Sequence, residues 1–183
     1  IHKCYLEIEL DNANATPDQG YDAIASVELE IGGQTIDKQT GKWMKYWNKL
    51  SLPAEKKLGL QHMVGGVSKT LHVPLEFFFC QNPGLALPLI ALQYHEVRVK
   101  FNFATSTSYL PAGSTCKLWV DYIYLDTDER RKMAQNSHEF LITQIQNDNS
   151  ATLTGTAAEI NVTHRLNFNH PVKELIWTVE NNG

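Results

Sequence analysis

Apolar and polar residues alternate along several segments of this chain, and that period of two constrains its fold most strongly. Residues 3–10, 23–31 and 94–103 each place apolar side chains at every second position, with mostly charged or polar ones between them. Successive side chains of a β-strand point to opposite faces, so such segments form strands with one buried face. The pattern predicts sheets that cover a core on one side.

Further strands are predicted where β-branched and aromatic residues cluster between turn-forming residues. These segments are residues 73–80, 116–125, 166–168 and 173–179. Adjacent glycines at Gly32 and Gly33 are typical of a tight hairpin turn. Residues 137–146 fit either a helix or a strand. Many short strands, without regularly alternating helices, indicate a sandwich or barrel rather than a parallel α/β fold.

Two segments depart from the strand pattern and predict short helical insertions. Trp43, Trp47 and Leu50 recur at helical spacing and predict a helix over residues 42–50. An aspartate in the N-cap position, followed three residues later by a glutamate, predicts a second helix over residues 126–136.

Composition and charge exclude several classes of protein. The chain has 16 Lys and Arg against 20 Asp and Glu, a net charge of −4, and it lacks the basic stripe of a nucleic-acid binder. Its apolar runs are far shorter than the roughly 20 residues of a transmembrane helix. Cys4, Cys80 and Cys116 form neither a disulfide framework nor a zinc motif. We expect them to be small buried side chains in a reducing compartment.

No motif for catalysis or metal binding has the required spacing. His138 and Glu139 lack the second histidine of a zinc-protease helix, and residues 66–70 lack the glycines of a phosphate-binding loop. Asp126 and Asp128 lack the later ligand and the glycine of a calcium loop. We therefore predict no catalytic residue, no cofactor and no metal ligand.

Two further residues have a candidate role. Asn161 stands in the sequence Asn-Val-Thr and is a weak candidate for glycosylation, because the cysteine usage does not favour a secretory compartment. His95 lies on the apolar side of a predicted strand, where we expect a core histidine with a hydrogen-bond partner. From its residues alone, the chain is predicted to be a structural or binding β-protein.

Long blocks of sequence in a fixed order resemble a known family. The longest block is residues 73–97 (VPLEFFFCQNPGLALPLIALQYHEV). The others are residues 3–10, 120–131 (VDYIYLDTDERR), 137–142 (SHEFLI) and 166–177 (LNFNHPVKELIW). They resemble the major capsid protein of the nucleocytoplasmic large DNA viruses, especially those of algae and other protists. The resemblance spans nearly the whole chain.

The resemblance implies an all-β fold, a jelly-roll β-sandwich with short helical insertions, as part of a double jelly roll. Residues 1–155 would be most of the first roll, without its first strands. Residues 156–183 would be a linker and the opening strands of the second roll. The resemblance also implies a homotrimer with a pseudo-hexagonal outline that tiles an icosahedral shell, in a virion assembled in the host cytoplasm.

The implied partners are neighbouring capsomers and minor capsid proteins, with attached glycans as a further candidate and no direct contact with nucleic acid. Two elements are candidates for the trimer or inter-roll contacts: an apolar stretch too hydrophobic for a solvated loop, and a pair of arginines on the second predicted helix. The candidate interface residues are Pro88, Leu89, Ile90, Leu92, Arg130 and Arg131.

A carbohydrate-binding, lectin-like module is the alternative hypothesis, since lectins share the jelly-roll architecture. Trp43 and Trp47 would fit a sugar site, but a helical core stripe explains them equally well. A jelly-roll enzyme would need metal-binding histidines clustered inside the barrel, and the spacing of the seven histidines gives no such cluster. We therefore predict that the protein is not an enzyme.

Overall fold

The strands form two antiparallel sheets in this computed structural model, which describes residues 1–11, 15–66, 68–148 and 162–179. The strands are β1 (Cys4–Glu9), β2 (Ile24–Ile31), β3 (Gln34–Thr40), β4 (Thr70–Pro74), β5 (Val97–Phe103) and β6 (Thr115–Val120). The helices are α1 (Gln19–Asp22), α2 (Gly41–Ser51), α3 (Ala54–Val64), α4 (Phe78–Gln81) and α5 (Thr127–Gln135).

Each sheet is built around a strand that the alternation predicts. β1 lies between β4 and β6, and β2 lies between β3 and β5, with antiparallel pairing throughout. Leu6 and Ile8 of β1 are buried in the same hydrophobic cluster as Val27 and Leu29 of β2. Two sheets that share one core on their inner faces form a β-sandwich, as predicted.

The hairpin between β2 and β3 forms at the predicted glycine pair. Gly32 and Gly33 have φ angles of 59° and 83°, and Ile31 pairs directly with Gln34 across the turn. Positive φ at both central residues is typical of the two-residue turn that matches the twist of the flanking strands. The chain therefore reverses at these two residues, and the pairing register shifts only further along, between Leu29 and Glu30.

β3 itself has no apolar pattern, because the side chains on its buried face are polar. Asp37 and Gln39 are both buried, and the Gln39 Nε2 donates to Asp37 Oδ2 at 2.7 Å and to the Glu76 carbonyl at 2.9 Å. Buried polar groups are tolerated where they are hydrogen-bonded to each other or to the backbone. Hydrophobic periodicity therefore gives no sign of this strand.

Two helices follow β3, and they only partly match the prediction. Trp43 and Trp47 stack on each other in α2 at a centroid distance of 5.6 Å, but the residues that α2 buries are Gly41, Met44 and Asn48. Leu50, assigned to the buried stripe, is exposed. No sequence pattern predicts the helix α3.

The strand predicted over residues 73–80 is wrong beyond Pro74. β4 ends at Pro74, and α4 begins at Phe78. Phe77, Phe78 and Phe79 are all buried. A strand at the surface of a sandwich can bury only alternate side chains, so three successive buried aromatics require another backbone conformation. The helix α5, by contrast, forms where its aspartate cap predicts it.

The chain divides into two compact units, Ile1–Ile145 and Gln146–Gly183. The predicted boundary near residue 155 lies outside the described residues. The strands predicted over 166–168 and 173–179 are absent from the second unit, as far as residues 162–179 show. A strand needs a hydrogen-bonding neighbour, and no neighbouring strand lies beside these residues in the described part of that unit.

Candidate interaction surfaces

The candidate apolar stretch at residues 88–92 folds as a series of tight turns. The Ala91 amide donates to the Pro88 carbonyl at 3.0 Å, and the Leu92 amide donates to the Leu89 carbonyl at 3.1 Å. Just before it, the Leu87 amide donates to the Ile1 carbonyl at 2.8 Å. This bond attaches the stretch to the residues that precede β1. These backbone bonds hold the turns in a fixed position.

The subunit buries only part of this stretch. Pro88 is buried and Leu92 packs against the core, whereas Leu89 remains 36% exposed and Ile90 is half-buried. Tyr94, directly after the turns, is 88% exposed. An apolar turn held rigidly with its tip in solvent is a surface suited to contact with another protein.

Arg130 and Arg131 lie on a different element, the helix α5. The Asp126 Oδ1 accepts from the amides of Asp128 at 2.8 Å and Glu129 at 3.2 Å, so the helix is capped. No residue of α5 is buried in the subunit. Short helices in proteins usually depend on packing of one apolar face, which α5 lacks within this unit. Both arginines are exposed and available to a partner.

Sequence reasoning missed a third surface, the segment at the end of β6. Trp119 is 56% exposed, and the following Tyr122, Ile123 and Tyr124 are also exposed, the last at 93%. The sequence predicts a strand through residue 125, but β6 ends at Val120. The cluster of aromatic letters in the sequence is the signal that could have identified this surface, had it not been assigned to a buried strand.

A charged group organises the outer face of the same sheet. Glu7 accepts from Trp119 Nε1 at 2.8 Å and from Lys117 Nζ at 3.2 Å, and His72 Nε2 lies 3.5 Å from it. These hydrogen bonds, the tryptophan's above all, lower the pKa of the Glu7 carboxyl. The network fixes the orientation of Trp119 and therefore the shape of the aromatic surface.

The last residues of the first unit run beside β3 and are held there by side chains. The Ile145 amide donates to Asp37 Oδ1 at 2.9 Å, and Gln144 Nε2 donates to the Ile36 carbonyl at 3.0 Å. Phe140 packs against Phe78 with ring centroids 6.2 Å apart. We call residues 138–145 the strap, because they run beside β3 without forming a strand.

The part of the chain that the structure describes contains no candidate metal centre. No group of three His, Cys, Asp or Glu side chains that could hold a metal ion occurs among the described residues. In the same residues, no helix has the length and apolar character needed to span a membrane. His95 is exposed in the turn before β5, so the prediction of a core histidine is wrong. Asn161 lies outside the described residues.

Comparison with known proteins identifies the family. Residues 1–126 match the family described as major capsid protein N-terminus, and residues 129–183 match the family described as large eukaryotic DNA virus major capsid protein. The chain belongs to the major capsid proteins of large eukaryotic DNA viruses. The family resemblance stated from the sequence blocks is thereby confirmed.

Individual capsid proteins agree with this assignment. The chain is 46% identical to the major capsid protein of Pyramimonas orientalis virus, over 100% of this chain and 50% of that protein. It is 42% identical to that of Paramecium bursaria Chlorella virus 1, over 91% of this chain and 42% of that protein. The chain thus spans about half or less of the length of these curated relatives.

Solved capsid structures have the same fold. The chain is similar to PBCV-1 VP54, in the crystal structure fitted into a reconstruction of the virophage Sputnik, with a TM-score of 0.71 and 40% identity. The match covers 80% of this chain and 40% of that one, and a quasi-atomic model of the PBCV-1 virus capsid gives the same values. The predicted all-β jelly-roll sandwich with short helices is confirmed. These relatives are structural capsid proteins, so the lectin-like alternative is not favoured.

Proposed function

We propose that this structural capsid protein assembles as a homotrimer, a pseudo-hexagonal capsomer that tiles an icosahedral shell. Residues 1–155 would form most of the first jelly roll, and residues 156–183 would lead into the second. The observation that carries this proposal is a set of apolar side chains that the first unit leaves wholly or partly exposed on hydrogen-bonded turns, on β6 and in the segment after β6. The residues are Leu89, Ile90, Tyr94, Trp119, Tyr122, Ile123 and Tyr124.

Each of these surfaces suits contact with another subunit for a physical reason. Leu89 and Ile90 sit on hydrogen-bonded turns, so little conformational entropy is lost when they are buried. Trp119 is oriented by Glu7. Arg130 and Arg131 can form bidentate pairs with acidic groups of a neighbour, as arginines at protein interfaces do.

The proposed partners follow from this role. Neighbouring capsomers and minor capsid proteins would share the remaining exposed surface, and the net charge of −4 favours no direct contact with nucleic acid. The protein would work in the virion after assembly in the host cytoplasm, with Asn161 as a candidate for an attached glycan. We infer a structural role without catalysis.

Light scattering on the purified protein tests the trimer and its interface together. We expect a mass three times that of the monomer for the wild type. Leu89→Asp and Arg130→Glu are expected to weaken association at least about tenfold, because each places an unfavourable charge at the contact.

Matched controls separate the interface from general surface effects. Leu58→Asp changes a leucine of α3 that is 64% exposed, and Lys57→Glu reverses an exposed charge on the same helix. Both should leave the trimer intact. A monomeric wild type, or Leu89→Asp and Arg130→Glu variants that associate as well as their controls, would contradict the proposal.

A further inference from the structure

Two cysteines that are far apart in sequence meet at one end of the first sheet. Cys4 is the first residue of β1, and β4 pairs beside β1, so that the Leu75 amide donates to the Cys4 carbonyl at 3.0 Å. The chain then turns into α4, where the Cys80 amide donates to the Phe77 carbonyl at 2.8 Å. This turn brings the Cys80 side chain back over the start of β1.

Cys4 and Cys80 line the same open cavity. Each thiol shifts the pKa of the other, so the two side chains lie close together. Both residues line a cavity of about 440 Å³ that opens to solvent, together with Lys56, Met63 and Glu76. A small oxidant such as hydrogen peroxide can therefore reach the pair although Cys4 itself is buried.

This proximity gives the two thiols different reactivity. The hydrogen bond from Cys80 lowers the pKa of Cys4, against the opposing effect of burial. The same hydrogen bond, and then burial, raise the pKa of Cys80. Since the thiolate is the reactive form of cysteine, Cys4 is the group that reacts first and Cys80 is placed to resolve the product.

We propose that Cys4 and Cys80 are a redox-active pair that forms a reversible intramolecular disulfide. With peroxide, the Cys4 thiolate attacks one oxygen, the O–O bond breaks, and Cys4 becomes a sulfenic acid with release of hydroxide. The Cys80 sulfur then attacks the Cys4 sulfur and displaces its hydroxyl, which leaves as water with the Cys80 proton. The two cysteines lose two electrons, and peroxide is reduced to water.

Such a pair responds to the compartment in which the protein resides. In a reducing cytosol both thiols stay free, and in oxidising surroundings the disulfide closes a loop from β1 to α4. Closing a long loop stabilises the folded state mainly by restricting the unfolded chain. This inference concerns one subunit and holds whether or not the proposed trimer forms.

Peptide mapping of the purified protein tests the proposal. After peroxide treatment, the protein is alkylated in denaturant and digested, and the thiols and cross-linked peptides are identified by mass spectrometry. We expect one intramolecular cross-link between the peptides of Cys4 and Cys80, and one remaining thiol at Cys116. Cys116→Ser is the matched control and should give the same cross-link, because Cys116 lies on β6 opposite Ile8.

Two variants isolate the order of the reaction. In Cys80→Ser no cross-link should form, and Cys4 should be trapped as a sulfenic acid by a dimedone probe. In Cys4→Ser the dimedone label at Cys80 should be much weaker. If Cys4 and Cys80 stay reduced at peroxide levels that oxidise Cys116, or if the cross-links run between molecules, the proposal is wrong.

Thermal unfolding of the wild type provides a second test of the disulfide. The oxidised wild type should unfold roughly 5–10 °C above the reduced wild type, given the usual effect of a disulfide in a chain of this size. Peroxide should leave the unfolding temperature of Cys80→Ala unchanged. Equal unfolding temperatures for the oxidised and reduced wild type would overturn the stabilising role.

Discussion

Two carboxyl groups, those of Asp37 and Glu76, lie where the fold favours their neutral form. Burial raises the pKa of Asp37, although it accepts hydrogen bonds from Ile145 and Gln39 that act in the opposite direction. Burial likewise raises the pKa of Glu76, with a smaller opposing effect from Asn48. At both positions, loss of water around the charge outweighs the hydrogen bonds that favour ionisation.

Glu76 should make the stability of the protein depend on pH. Its pKa is higher in the folded state than the ordinary value of 4.5, so the folded protein holds this proton more tightly. The resulting stabilisation is complete below the ordinary value and is lost as the pH rises through the folded pKa. We expect Glu76→Gln to be more stable than the wild type at neutral pH and nearly equal to it in acid.

Urea unfolding at a series of pH values measures this difference. The exposed Glu9→Gln on β1 is the control and should follow the wild-type profile. A Glu76→Gln variant that is less stable than the wild type at neutral pH would show that the charge of Glu76 contributes favourably to the fold.

Asp37 has a different role, because it holds the strap. Asp37→Ala removes the acceptor for the Ile145 amide and for Gln39, and should lower the free energy of unfolding by about 1–3 kcal/mol. Hydrogen exchange of the Ile145 amide should accelerate more than that of residues in β1. Equal acceleration in both places would indicate general destabilisation rather than release of the strap.

At the scale of elements, the sequence predicts strands well where their buried side chains are apolar. β1, β2 and β5 follow the alternation because one face of each covers the core. β3 could not be found in this way, since the side chains on its buried face, Asp37 and Gln39, are polar and hydrogen-bond to each other. The glycine pair that precedes it predicts the turn, and a turn of that kind implies a returning strand.

The hairpin turn needs a glycine at its position 33, whereas the helix α3 does not need one at position 59. Gly33 has a φ of 83°, which an alanine adopts only with strain, whereas Gly59 lies within α3 and has open space where a Cβ would stand. Gly33→Ala should destabilise the protein by about 1 kcal/mol, and Gly59→Ala should stabilise it by about 0.5–1 kcal/mol. Chemical denaturation of both variants checks the sign. Stabilisation by Gly33→Ala would contradict the turn geometry.

The candidate surfaces were only partly predictable, for reasons of the same kind. Residues 88–92 stand out because five mostly apolar residues between turn-formers need cover. The arginines stand out through the helix cap at Asp126. The aromatic segment at residues 119–124 was overlooked, because in sequence an exposed aromatic strip and a buried strand have the same composition.

Considered as a whole molecule, the described chain leaves an open sheet edge at β6 beside exposed aromatic residues. Unpaired edges and contiguous apolar surface promote association. We expect the isolated chain to self-associate, and Ile123→Lys combined with Tyr124→Lys to raise its soluble fraction severalfold. Leu58→Lys, at an exposed leucine apart from that edge, should have little effect. Sedimentation measures the soluble fraction of the wild type and of both variants. Equal solubility of these three proteins would show that the aromatic edge does not cause the association.

Because β1 lies at the centre of its sheet, that sheet can be completed only late in synthesis. Both neighbours, β4 and β6, are made after it, and β6 follows at a distance of about 110 residues. At roughly 5–20 residues per second, a ribosome needs on the order of ten seconds to cover that interval. Throughout it, one edge of β1 lacks its hydrogen-bonding neighbour. The nascent chain therefore carries an unpaired strand edge through much of its synthesis, and a binding partner that covers this edge would protect it from association.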